Sequence, residues 1–157
     1  MITNPTALAD QADAASRELS DAMAAARAAG LGDLNIAPAG AWLTTRLAQL
    51  RNSVVDGSAR ICPHLAGGPR IVVTALWQPG IVVCAHCAPQ LRPTEAEDHT
   101  CDRCRRQVPT IHPRAASNGP LLIVYGLCQH CRHTEEATGR KTAHRPPRTA
   151  RKRRPRR

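Results

Sequence analysis

The chain has 157 residues, a formal net charge of +10 and almost no large rings: Trp42, Trp77 and Tyr125 are its only aromatics, with no phenylalanine. That length suits one domain, or one small domain with appendages, and so few large side chains bury little area per residue. No apolar run reaches the roughly 18 residues that span a bilayer. The start also lacks the basic-then-apolar order of an export signal, and together these predict a cytoplasmic, reducing setting.

Residues 1–57 lack cysteine and have the grammar of two helices. Asn4 and Pro5 supply an N-cap and a first helical position, and Gly30 supplies a C-terminal cap. The stripe Leu8, Ala12, Ala15, Leu19, Met23, Ala26 has the helical period but is mostly methyl groups. A second helix is predicted from about Pro38 to Val55, with Leu43, Leu47, Leu50 and Val54 on one face and Gly57 at its end. An antiparallel helical hairpin over 1–57 covering the rest of the chain is one use of these stripes. A dimerisation or docking arm is the other.

The chemistry lies further on. The seven cysteines fall into Cys84/Cys87, Cys101/Cys104 and Cys128/Cys131, each a C-x-x-C, plus Cys62, which is followed two residues later by His64. These eight side chains match the needs of two tetrahedral metal ions, because ligands three positions apart on a tight turn can grip one ion. An odd cysteine count and paired spacing argue against a disulfide framework. Sequence order groups Cys62, His64, Cys84 and Cys87 in one site and Cys101, Cys104, Cys128 and Cys131 in the other. An interleaved grouping uses the same residues. His86, His99, His112, His130 and His133 are rival ligands that would each have to displace a residue already in a paired motif, so they are expected at the surface. Two structural Zn2+ ions are the predicted cofactors, with iron the competing metal for a four-cysteine site of this spacing.

Cys101-Asp-Arg-Cys104, twenty-three intervening residues, and Cys128-Gln-His-Cys131 resemble a zinc ribbon. In that family two knuckles at the tips of β-hairpins clamp one structural zinc, so the resemblance implies metal binding rather than a particular task. Leu121 to Leu127, bounded by Asn118-Gly119-Pro120, reads as a buried strand leading into Cys128. Gly126 either serves the tight approach into the knuckle or is a small residue tolerated in a strand. The family's glycine after each knuckle is replaced by Arg105 and Arg132. The first site has a similar grammar: Ile71 to Trp77, the turn Gln78-Pro79-Gly80, then Ile81 to Val83 running into Cys84. Residues 58–135 are thus predicted to form a double zinc-ribbon-like β module, stabilised by metal. The resemblance to rubredoxin stops at the knuckles, since its aromatic core is absent.

Charge sets off the remainder. Ten of the 22 Lys and Arg residues lie in 140–157 with no acid among them, which leaves twelve to balance the twelve acids elsewhere. The ten are Arg140, Lys141, Arg145, Arg148, Arg151, Lys152, Arg153, Arg154, Arg156 and Arg157. Prolines at 146, 147 and 155 and the lack of apolar periodicity predict a disordered basic tail over 136–157. Such a tail suits a phosphate backbone, because its cations displace condensed counterions. A solubility tail and an anionic lipid surface are its other uses. Around the second knuckle Arg103, Arg105 and Arg106 are candidates for nucleic-acid contacts, or form a solvated tip balanced by Asp102. Few exposed rings predict weak sequence discrimination.

Enzyme chemistry finds no support. A zinc deaminase needs a glutamate two residues after its first ligand and a proline before its C-x-x-C, whereas Leu65-Ala66 follow His64 and no C-x-x-C follows proline. Three C-x-x-C pairs argue for ligation over a thioredoxin-like redox site, and none precedes the histidine that haem attachment requires. Eight ligands for two ions leave no place for a catalytic water. The expectation is therefore an α+β, non-enzymatic zinc protein with no membrane span and no small-molecule substrate, whose basic tail binds nucleic acid or a nucleoprotein complex such as a ribosome or transcription complex. The alternatives are a protein-interaction adaptor and a thiol- or metal-responsive regulator. Twenty arginines against two lysines, with abundant alanine, suggest a bacterial or phage source.

Overall fold

The computed structural model describes residues 5–30 and 40–135. The Asn4 cap, Pro38 and the tail of 136–157 lie outside the described residues. So does the link of 31–39, on which the pairing of the two helices as a hairpin turns.

Helix α1 spans Pro5–Ala28, with proline at the position where a missing N–H costs nothing. Its apolar stripe is buried as the spacing predicts: Ala15, Leu19 and Met23 are covered, and Leu8, Ala12 and Ala26 are half-buried. Gly30 closes the helix at φ +70 and donates its N–H to the Arg27 carbonyl at 3.0 Å. Helix α2 spans Ala41–Val55, and Asp56 and Gly57 (φ +75) end it. Leu43 is buried and Leu47 and Leu50 are half-buried, but Val54 is 42% exposed. The stripe on α2 is therefore covered over two turns, not three.

The β module is one sheet rather than two separate ribbons. Strands β1 (Arg60–Ile61), β2 (Val72–Ala75), β3 (Ile81–Cys84), β4 (His112–Asn118) and β5 (Leu121–Leu127) lie in the order β1-β3-β2-β5-β4. β2 and β3 form an antiparallel hairpin closed by Gly80 at φ +80. β4 and β5 form a second hairpin, whose two-residue loop begins with Gly119 at φ +58, the left-handed region that favours glycine. Parallel pairing of β2 with β5 fuses the hairpins, Val72 opposite Leu121 through Ala75 opposite Val124. Sequence reasoning found β2, β3 and β5 but not β4, whose Pro113 and Arg114 hide its strand character. Proline is acceptable there because β4 is an edge strand.

Strand alternation gives each face of the sheet its own core. Ile123, Tyr125 and Leu127 of β5 point to the side where Leu43, Ala116, Cys101, Cys128 and Cys131 cluster. Leu122 and Val124 point to the other, against Val73, Ala75, Val83, Leu91, Cys84 and Cys87. The few aromatics are spent at these seams. Trp42 of α2 meets Tyr125 edge-on with centroids 5.7 Å apart, and Trp77 donates its indole N–H to the Leu91 carbonyl at 2.8 Å. On the Leu122 side, Leu19 and Ala22 of α1 border a groove of about 690 Å³ that Val73, Leu122 and Val124 also line. No helix among the described residues is long and apolar enough to cross a membrane.

Candidate metal centres

The fold draws the eight ligands into two groups of four. Cys62, His64, Cys84 and Cys87 form one and Cys101, Cys104, Cys128 and Cys131 the other, with the ligand atoms of each group within 4.8 Å of one another. This is the sequential grouping, not the interleaved one. Each set fits one tetrahedral ion, and neither group includes His86, His99, His112, His130 or His133. His112 lies 3.4 Å from an Arg132 guanidinium nitrogen, and His133 lies 3.0 Å from the Gln129 amide.

In the first centre β1 leads to Cys62, a 3-10 turn over Pro63–Gly67 carries His64, and β3 ends in Cys84. A second 3-10 segment, Ala85–Leu91, returns Cys87. Parallel pairing of β1 with β3, Ile61 opposite Val82, sets the two knuckles side by side. The Cys84 N–H donates to the Cys62 sulfur at 3.2 Å, and His64 Nδ1 lies 3.2 Å from the Cys87 sulfur. The Cys87 backbone N–H, aided by that of His86, lowers the Cys84 thiol below its usual range. Burial pushes the Cys87 thiol up to about 11. His64 is exposed while Cys84 and Cys87 are buried, so this centre is open on its imidazole side.

The second centre is all thiol and more enclosed, with Cys101, Cys128 and Cys131 buried. Burial works hardest against ionising Cys101, yet the N–H groups of Cys104, Cys128 and Arg103 outweigh it and bring the thiol down to about 7. Burial raises Cys131. Donors converging on one sulfur favour thiolate, the form that binds metal. β5 delivers Cys128, and residues 129–135 turn at once into a helix carrying Cys131.

The two positions that lack the ribbon glycine behave differently. Arg105 takes φ +58, where glycine would be less strained, and its N–H closes the knuckle onto the Cys101 carbonyl at 2.8 Å. Arg132 sits in the helix and bonds back to the Cys128 carbonyl at 2.9 Å, so no left-handed residue is needed there.

Asp102 is not the solvated counter-charge of a knuckle tip. Its residue is only 3% exposed, its N–H donates to the Gly126 carbonyl at 2.9 Å, and its Oδ2 accepts the Gly126 N–H at 2.7 Å. This clasp ties the first knuckle of the centre to β5. A Cβ on Gly126 would run into the Ile111 side chain, so glycine is required for the close approach. Nothing in the spacing marked Asp102 as buried. A second missed group is Arg114, buried on β4 beside Glu135 (Nε to Oε2, 4.0 Å), whose other oxygen accepts the Tyr125 hydroxyl at 3.2 Å. Arg140, Lys141 and the other eight tail cations lie outside the described residues.

No protein-family model, curated protein or solved structure matches the chain. The two Cys/His groups therefore carry the likeness to zinc-ribbon sites on their own geometry.

Proposed function

We propose that the chain is a structural-zinc protein whose basic segment of 140–157 binds nucleic acid or a nucleoprotein complex. The observation that carries the reading is the separation of charge. All of the formal +10 falls in the last eighteen residues, and 1–139 balance to zero. Metal deepens the contrast, because seven thiolates against two divalent ions add three negative charges to the body.

Zinc is favoured over iron because one of the two centres contains histidine, whereas a mononuclear iron site of this spacing uses four thiolates. Four protein ligands fill each tetrahedral ion, which supports a structural and not a catalytic role. The protein works without catalysis, in a reducing compartment that preserves its thiolates.

A chain ended at Gly139 tests the reading. It keeps every ligand and every core residue, so it should retain two metal equivalents while losing most of its affinity for polynucleotides. Undiminished affinity would refute the tail as the binding element. The adaptor reading has one observation in its favour, the apolar groove beside α1. A partner that survives nuclease treatment and loss of the tail would establish it instead.

A further inference from the structure

We propose that the groove between α2 and the sheet binds one nucleotide of a single strand, with its phosphate on Arg105 and Arg46 and its base against the apolar floor beside Trp77. The proposal rests on the reading of the chain as a nucleic-acid binder and adds a site on the folded body.

It begins with the strained arginine. A non-glycine residue at φ +58 is strained, because its Cβ crowds the neighbouring carbonyl, and such strain clusters at functional sites. Arg105 is the only non-glycine residue with positive φ among the described residues. Its side chain is 57% exposed, and its guanidinium nitrogen lies 3.6 Å from Oδ1 of Asp102, whose own side chain is 2% exposed. An exposed cation is thus aimed by a buried carboxylate that the Gly126 clasp holds still.

Arg105 borders a groove of about 470 Å³, within the roughly 300–1,000 Å³ typical of ligand clefts. Arg46 of α2 stands on the same groove, near enough to favour the ionised Asp102, and its guanidinium donates to the Gln49 amide oxygen at 3.0 Å. The floor is apolar, made in part by Leu47, Leu76 and Ile123, and Trp77 is the one aromatic side chain in the lining. Two guanidiniums against a single carboxylate leave a net positive rim around an apolar bed. That combination suits a unit with an anionic phosphate and a flat base. Arg103 and Arg106 belong elsewhere, lining a hollow beside Cys104, Cys128 and Cys131 where they offset the charge of the thiolates.

The test is photocrosslinking of the full-length, metal-loaded chain to short single strands, 4-thiouridine RNA and 5-iodouracil DNA, with peptide mapping by mass spectrometry. Crosslinks are expected within 41–50, 71–80 or 103–107 as well as in the tail. Arg105→Gly should cut the body crosslinks by about tenfold, the order expected for a lost charge-assisted contact, with tail crosslinks and metal content unchanged. Glycine fits the backbone at 105 better than arginine, so misfolding is not the expected cause of that loss. Arg46→Gln, which leaves the Asp102 pair intact, should have the same effect, and Arg105→Lys should restore most of the signal. Crosslinks confined to 140–157 would overturn the groove while leaving the tail reading intact. Body crosslinks indifferent to both Arg105→Gly and Arg46→Gln would also overturn it. No binding by either strand would overturn the groove, and no binding to duplex DNA as well would overturn the tail reading.

Discussion

Gly126 shows how one residue type can decide the second centre. The backbone groups of Asp102 and Gly126 are bonded at 2.9 Å, the Asp102 carboxylate takes the returning N–H at 2.7 Å, and Ile111 fills the space where a Cβ would go. Gly126→Ala should therefore lower stability by about 1–3 kcal/mol, the usual cost of forcing a methyl into a packed site. Ile111→Ala removes the Cγ2 methyl that the new Cβ would meet, so Gly126→Ala should cost less in that background than in the parent chain. A thermal melt on the four proteins reads this directly, and an unshifted Gly126→Ala melt would discount the clasp. Asp102 gives a second prediction with a definite sign. Burial raises its pKa above the ordinary carboxylate value, while the Gly126 N–H and Arg105 oppose the rise. A carboxyl with a raised folded-state pKa favours folding in its protonated form, and that contribution disappears as pH climbs through the folded value. The folded chain therefore loses stability relative to Asp102→Asn from about pH 4, near the unfolded value, upward. Urea unfolding of both proteins across pH should show the variant gaining, since the effect of acid on the thiolates is common to both and cancels in the difference. A constant difference would mean that Asp102 is not penalised by its surroundings.

At the scale of elements, periodicity and punctuation carried far. The α1 stripe, β5 from Leu121 to Leu127 and the Gln78-Pro79-Gly80 turn all stand where their patterns put them. Each is a local pattern, apolar spacing or a turn residue, and local patterns survive in a sequence. The four-ligand groups were legible for the same reason, because C-x-x-C is short. What spacing could not convey is sideways pairing. The parallel junction of β2 with β5 joins residues nearly fifty positions apart and leaves no local trace. Arg114, read along the chain, looks like surface, and Glu135, arriving from the helix after Cys128, helps to make its burial tolerable. Thr94 and Glu97 were legible but passed over: Thr-x-x-Glu is a capping-box pattern, and both reciprocal bonds form at the start of α3, Glu95–Asp98. Because β5 runs directly into the ligand Cys128, element and metal should fail together. Cys128→Ser is expected to release one metal equivalent and open β5 to protease, while the first centre, built on β1 and β3, keeps its ion. Elemental analysis with limited proteolysis checks this, and native-like resistance in the variant would argue against a structural second centre.

For the whole molecule, folding, metal and nucleic acid are linked through charge. Each of the two aromatic-poor cores includes the thiols of one centre, so stripping metal should unfold the β module, with structural zinc supplying roughly 10–16 kcal/mol of apparent binding free energy per site at neutral pH. Every thiol that binds must lose its proton, so metal affinity should rise with pH and chelators should act faster in mild acid. The basic segment responds to salt instead. If ten cations each displaced a condensed counterion, log affinity would fall against log salt with a slope near −9 on duplex DNA or about −7 on single strands. Prolines at 146, 147 and 155 interrupt the run, so fewer cations can seat at once and the expected slope is shallower than either limit. Ending the chain at Gly139 should flatten the slope to that of the single phosphate held by Arg46 and Arg105, about −0.7 on a single strand. Binding titrations of both proteins from low to physiological salt give the two slopes. Equal slopes would assign the phosphate contacts to the folded body, and a flat line for the full chain would remove phosphate binding from its function.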